Sequence, residues 1–518
     1  MYRVTIAIRS FDTAEPIFWQ SHSFMLKSQI LQISKSHKIH RHRPHQPPSR
    51  IPTVSNPHIR PIQNKPTFPV VCKMASLTTT TTDTTTSFDL STDGKREMLD
   101  LTRATTLLDK MDTANLTHMR LSNKSFGDEA ALVLAPKLLE CKQLAVADLS
   151  DIIAGRMTAV GLSVLNTISQ ALSQCSTLTE VDLSENALGP RGIAACRPLL
   201  SSVESLKRLT FNNDGLSAEA MNEIRDLLLF RGSDQPTVLE KLHFWNNMSG
   251  DGGASAIASV VSLSPNLIDF RLSSTRCGSE GGTDLLQALS TRSTLQHLDL
   301  SDNTFGASTA PLLGPLVNNN FNLIVLNLAD LSLENEGVVA VLASLSTTGV
   351  RKALKILDLS FSGVVDGHQV LKHFPAMVSN CPELTTFGFE ENEIGSRGAL
   401  RIARGLLKST KLIHLNLKMC DIHDIGAVAV AKAYATRSSG SLEMNGNMLS
   451  SNMMKEMNTM FQDNHDLGSW SDNDEDGADD EEDGDGVWLE DVAAEEKDST
   501  DDSSVDVLSE LVDEMKVV

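Results

Sequence analysis

The sequence predicts an α/β solenoid: short strand–helix units stacked so that their strands form one parallel sheet. Three observations carry this reading. The stretch Leu178-Thr-Glu-Val-Asp-Leu-Ser-Glu-Asn-Ala-Leu-Gly189 alternates apolar and polar residues, then reaches an Asn and a turn. Leu295-Gln-His-Leu-Asp-Leu-Ser-Asp-Asn-Thr-Phe-Gly306 is a near copy, and looser copies open at Leu116, Leu239, Leu384 and Leu412. Each copy precedes an apolar run of helical period, such as Gly192-Ile-Ala-Ala-Cys-Arg-Pro-Leu-Leu200. Alternation marks a strand with one buried face. The Asn sits where the chain must turn, and its amide can bond backbone groups that no sheet pairs.

The pattern is the leucine-rich-repeat signature. Copies begin near Leu116, Leu144, Leu178, Leu206, Leu239, Leu267, Leu295, Leu323, Leu354, Leu384 and Leu412, and a degenerate one surrounds Leu442–Leu449. A spacing of about 28 residues leaves room for a full α-helix per repeat. The expected form is a ribonuclease-inhibitor-like crescent, with parallel strands inside, helices outside and disordered termini. Three repeats, opening at Leu144, Leu206 and Leu323, are longer. Insertions in a solenoid become loops on one rim, often the binding surface.

A chain of 518 residues exceeds an ordinary domain, but solenoids escape that limit because each repeat packs only on its neighbours. The net charge of −21 argues against nucleic acid as a partner. Aromatics make up 4%, as expected where Leu, Ala and Val fill a repetitive core. The seven cysteines are scattered and form no C-x-x-C pair, so they read as reduced core thiols of an intracellular protein. Three glycosylation sequons, at Asn115, Asn123 and Asn247, read as chance, because Asn247 is also a repeat-turn asparagine. No apolar run approaches the ~18 residues that span a bilayer, so membrane insertion is not expected.

Four segments follow. Residues 1–94 read as a disordered N-terminal segment, basic and His/Pro-rich to about 73 and then Thr-rich. Three readings of its first part stay open: translation starting at Met74, organelle targeting, or a basic arm. Residues 95–465 hold the repeats. They begin with a helical run, Glu97–Leu108, suited to capping the first repeat's open core. Residues 466–503 form an acidic tract that cannot bury a core. In 504–518, Val505, Leu508, Leu511, Val512 and Met515 share one helical face.

The sequence offers no catalytic constellation of its own: no phosphate-cradling Gly-Lys-Ser loop and no His-Glu-x-x-His. Gly250-Asp-Gly-Gly253 and Gly278-Ser-Glu-Gly-Gly282 read as turn geometry, with Gly supplying positive φ. The repeat opening at Leu144 is different. Leu149-Ser-Asp-Ile-Ile-Ala-Gly-Arg156 replaces the Asn turn with a longer loop, and Arg156 follows Gly155 at its expected exposed tip. Such local violations of a repeat tend to be functional. Equivalent positions in later repeats hold Asn212-Asn213-Asp214 and Trp245-Asn246-Asn247, which should line the same rim as a polar docking strip.

Asp148-Leu-Ser-Asp-Ile-Ile-Ala-Gly-Arg156, Leu183–Gly189, Asn213-Asp-Gly-Leu-Ser217, His243–Gly253 and Phe270–Gly282 together resemble the GTPase-activating proteins of the small GTPase Ran. The last two are most similar to the plant branch, yet the chain lacks that branch's Trp-Pro-Pro motif. The resemblance covers about residues 97 to 465 and extends to an acidic tail. It implies a regulator, not an enzyme, that binds a Ran-like small GTPase in its GTP-bound form and speeds hydrolysis in nucleocytoplasmic transport. GTP and Mg²⁺ would belong to that partner, and the regulator would need no cofactor. It further implies Ran-binding effector proteins as partners, a monomeric state, and a place in the cytoplasm or at the nuclear envelope. Arg156 would be needed for activity without acting as an inserted arginine finger. Asn213 would orient the GTPase's own glutamine over the attacking water. Asp151, Gly155, Asn212, Asp214, Trp245 and Asn246 would contact the partner. The other reading is a repeat scaffold that binds a protein without stimulating hydrolysis.

Overall fold

In the computed structural model, the described residues are 86–202, 204–229, 235–347, 349–461 and 465–474. Strands of two to five residues alternate with helices along most of this length. Fourteen strands form one sheet, ordered as they occur in the chain from Thr86–Asp89 to His465–Asp466. Every pair is parallel, for example Val146↔Glu180, Glu180↔Arg208 and Arg208↔Lys241, and the first pair shifts register between Thr86 and Ser87. Each helix packs on the helices of adjacent repeats. Leu178, Val181 and Leu183 are buried, like their counterparts Leu206, Leu209 and Phe211. The core is therefore a continuous column beneath the sheet.

Two hydrogen-bond ladders run past the strand ends and hold the repeats together. The repeat asparagines form the first. Asn186 is buried; its Oδ1 accepts from Ile152 N at 2.9 Å, and its Nδ2 donates to Leu149 O at 2.9 Å and Leu183 O at 2.7 Å. Asn247, Asn303, Asn392 and Asn447 repeat this arrangement between their own neighbours. A buried Asn247 amide bonded to Phe211 O cannot carry a glycan. The second ladder uses the residue just before that position, which has positive φ in repeat after repeat: Asp151, Glu185, Asn213, Asn246, Ser274 and Asp302. This left-handed step costs a non-glycine residue energy. It turns the residue's N–H onto the next repeat: Asp151 N donates to Ser184 O, Glu185 N to Asn212 O, and Asn213 N to Trp245 O.

The domain is wider than 95–465. Thr86–Asp89 is already a sheet strand paired with the first repeat, and Glu97–Leu99 is a strand rather than helix. Backbone pairing with Lys124–Phe126 overrides its helical pattern, and the helix starts at Leu101 behind the N-cap Asp100. Lys124 occupies the first repeat's ladder position, where its buried Nζ donates to Asp93 Oδ1 at 2.9 Å and Lys95 O at 2.7 Å. At the far end Asn473 supplies a last ladder amide: its Oδ1 accepts from Asn447 N at 2.8 Å. The repeats thus extend through the first residues assigned to the acidic tract. The rest of that tract, residues 504–518, the N-terminal basic segment with Cys72, and 231–234 of the Leu206 repeat's insertion lie outside the described residues.

Cys141, Cys175, Cys196, Cys277, Cys381 and Cys420 are buried free thiols. Burial pushes Cys196, Cys381 and Cys420 each up to about 12. The glycine-rich stretches serve two purposes. Gly250 has the expected positive φ, of +55°. Gly282 does not; it lets a helix approach closely, since a Cβ there would sit 2.8 Å from the Phe305 ring.

Candidate functional site

The Leu144 repeat has Ile152 where the next repeat has the ladder asparagine, Asn186. Ile152 is buried, and its N–H is taken by Asn186. Lacking its own amide, the following loop is held from the cap side. Phe126 N donates to Ile152 O at 2.8 Å, and Ser125 Oγ donates to Ala154 O at 2.7 Å. Gly155 is exposed, with φ of +71°.

Arg156 is not at an exposed tip. It is half-buried, and its guanidinium points into the protein. Nε donates to Ser125 Oγ at 3.0 Å, while Nη2 donates to Ser125 O at 2.5 Å and Leu99 O at 3.0 Å. Gly127 makes room for it: a Cβ there would lie 3.2 Å from Nη1. The planar fork reaches two adjacent strands at once, which a lysine head group could not reproduce. Sequence spacing could not show this, because Leu99 is brought to Arg156 only when the cap folds over the first repeat.

Asp151, in the same loop, has φ of +55° and a side chain 5% exposed. Its Oδ2 accepts from Arg96 Nε at 2.8 Å and Nη2 at 2.7 Å. Its Oδ1 is buried with no hydrogen-bond donor.

Along the rim, three side chains bond in series across three repeats. Asn246 Nδ2 donates to Asn213 Oδ1 at 2.8 Å, and Asn213 Nδ2 donates to Glu185 Oε2 at 2.6 Å. Asn213 is exposed, so its second amide hydrogen and second lone pair face solvent in a fixed orientation. Trp245, 38% exposed, lies beside this series with the Arg271 guanidinium 5.2 Å from its ring centre. Asn212 is half-buried.

Asp214 does not belong to the docking strip. It is fully buried at the ladder position, where Oδ1 accepts from Asn186 N at 2.9 Å and Oδ2 has no partner. Burial raises its carboxyl well above the usual carboxylate range. A proton on Oδ2 would supply the donor that the asparagine amide provides in neighbouring repeats.

The structure thus gathers Asp151, Gly155 and Arg156 in one loop and aligns Asn213 and Asn246 on one rim. Glu185 joins the two groups, bonding Asn213 while facing the loop. Between the loop and the start of the next repeat's helix lies a groove of about 770 Å³, lined by Arg96, Asp151, Gly155, Arg156, Glu185 and Arg191 among others. Sequence reasoning missed Arg96, Glu185 and Arg191. The repeat register would have revealed Glu185, which occupies the same position as Asn213. Arg96 carried no signal.

The Leucine Rich repeat family model matches residues 174–195, 292–308 and 408–431. The chain has a leucine-rich-repeat fold. Over 127 residues, 24% of this chain and 23% of the relative, it is 42% identical to RAN GTPase-activating protein 2 of Arabidopsis thaliana. It is 25% identical over 290 residues, 54% of this chain and 71% of the relative, to Ran GTPase-activating protein 1 of Saccharomyces cerevisiae. To the ribonuclease inhibitor of Sus scrofa it is 27% identical over 270 residues, 46% of this chain and 57% of that protein. The chain spans about a quarter of the length of the plant relatives it matches.

Proposed function

We propose that this protein activates GTP hydrolysis by a Ran-like small GTPase bound to GTP. The observation that carries the reading is the Glu185–Asn213–Asn246 series beside the braced Arg156 loop. A neutral amide held by both neighbours and open to solvent is suited to orienting another amide. It lacks the charge to stabilise a developing negative charge by itself. Its contribution would be to hold the GTPase's glutamine over the attacking water, which is positioning. Arg156 would act through the loop it braces, because reaching outward would break its three hydrogen bonds. The relatives named as Ran GTPase-activating proteins support the choice of partner. On this reading GTP and Mg²⁺ belong to the partner, Ran-binding effectors are further partners, and the protein works as a monomer in the cytoplasm or at the nuclear envelope.

Single-turnover GTP hydrolysis by Ran, with and without the protein, tests the reading. Wild type should accelerate it by ~10³-fold or more. Asn213→Ala should lower the saturated rate far more than it weakens binding, the profile of an interaction made chiefly in the transition state. Asn213→Asp should be at least as harmful, since it adds negative charge near phosphates. Wild-type protein that binds Ran·GTP without accelerating hydrolysis would establish the scaffold reading instead. That reading draws on the similarity to a ribonuclease inhibitor.

A further inference from the structure

We infer that Arg191 is the cationic contact between this protein and its GTPase, and that the groove it lines receives a GTPase surface segment bearing a carboxylate. The inference rests on the GTPase-activating reading above.

Three arginines line the groove, and two are already committed. Arg156 holds Leu99 O, Ser125 O and Ser125 Oγ, so withdrawing it would strand backbone carbonyls and loosen the cap. Arg96 is paired with Asp151 through two nitrogens. Arg191 is exposed and makes no hydrogen bond or ion pair among the described residues. The acids beside it do not neutralise it. Glu185 is bonded to Asn213, and Glu219, which also lines the groove, forms no ion pair with Arg191.

The segment carrying Arg191 is fixed. Gly189 N donates to Asp214 O at 3.1 Å, and Pro190 opens the short helix Gly189–Ala195. Gly192 packs so tightly that a Cβ would lie 2.7 Å from Leu188 Cβ. Arg191 therefore projects from a rigid backbone, and only its side chain must be ordered when it binds, which limits the entropic cost.

One acceptor beside the groove lacks a donor but is closed to solvent. Asp151 Oδ1 belongs to a side chain 5% exposed and has no donor. Arg191 is therefore the group in the groove that is open to a partner, and a free, exposed cation on a rigid segment fits a polypeptide segment presenting a carboxylate. Charge on the adjoining rim adds register. Its left-handed positions include Asp151, Glu185, Asp302, Asp330 and Glu391 beside Arg276, so Arg191 is a cation next to a mostly acidic strip, which penalises shifted docking.

The test is single-turnover hydrolysis of GTP-loaded Ran across a range of protein concentrations, using wild type, Arg191→Ala, Arg191→Glu and Arg191→Lys. Arg191→Ala should raise the half-saturating concentration roughly tenfold and Arg191→Glu by ~100-fold, with the saturated rate changed much less. Arg191→Lys should recover most of the loss, and added salt should shrink the difference between wild type and Arg191→Ala. Melting temperatures should match wild type, because the side chain bonds nothing. Active wild type with a normal half-saturating concentration for Arg191→Glu overturns the Arg191 assignment and leaves the GTPase-activating reading standing. Wild type that neither binds nor stimulates Ran overturns both.

Discussion

Removing Arg156 should first loosen the N-terminal cap. Arg156→Ala deletes three hydrogen bonds from a charged donor, to Ser125 Oγ, Ser125 O and Leu99 O. Hydrogen bonds to charged groups contribute ~1.5–3 kcal/mol each when well buried. Arg156 is only half-buried and water can replace part of the loss, so the net local cost should be ~2–4 kcal/mol. At 1.4 kcal/mol per factor of ten, local opening of the Glu97–Leu99 and Lys124–Phe126 pair should become ~30- to 1000-fold more frequent. Amide hydrogen exchange reads this directly at Leu99, Ser125 and Phe126, with amides of the His414–Asn416 strand as an internal control. Stimulation of Ran should fall with it, because the displaced loop carries Asp151 and borders Glu185. Arg156→Lys should not restore protection, since one ammonium cannot span the acceptors on both strands. Wild-type exchange in Arg156→Ala would refute the bracing role and make Arg156 available as a direct contact.

Other outcomes follow from the two ladders. Leu183→Ala should cost ~2–5 kcal/mol in equilibrium unfolding, as a buried repeat leucine; an unchanged melting temperature would mean the repeat register is wrong. The raised pKa of Asp214 means the folded protein holds this proton more tightly than the unfolded chain. Its contribution to stability is full below the ordinary carboxylate range and is lost as the pH rises through the elevated value. Urea unfolding from about pH 4 to pH 8 should show that decline in wild type and less of it in Asp214→Asn, which supplies an amide donor instead. The same slope in both proteins would show that Asp214 is not its source. Truncation after Asp474 should leave the melting temperature unchanged, whereas truncation after Trp470 should lower it by removing Asn473 from Asn447. Either truncation should slow association with Ran at low salt if the acidic tract steers a basic surface; equal rates would assign the tract to solvation alone.

The leucine period alone determined the repeats, their strands and their parallel order. A buried face that recurs about every 28 residues can be satisfied only by stacking on its own copies. The asparagine ladder was legible for the same reason, as was the break in it at Ile152. The tertiary structure decided what each break means. Arg156 and Asp214 both looked like surface groups from their places in the pattern. One points inward because the cap brings Leu99 to it, and the other is buried because it fills an asparagine's place in the ladder. The strand at Glu97–Leu99 read as helix because its partner, Lys124–Phe126, lies a repeat away. Local periodicity reports which face of an element is buried. Which distant backbone meets a polar side chain depends on how the repeats and their caps close over one another, and that is settled only when the whole stack is assembled.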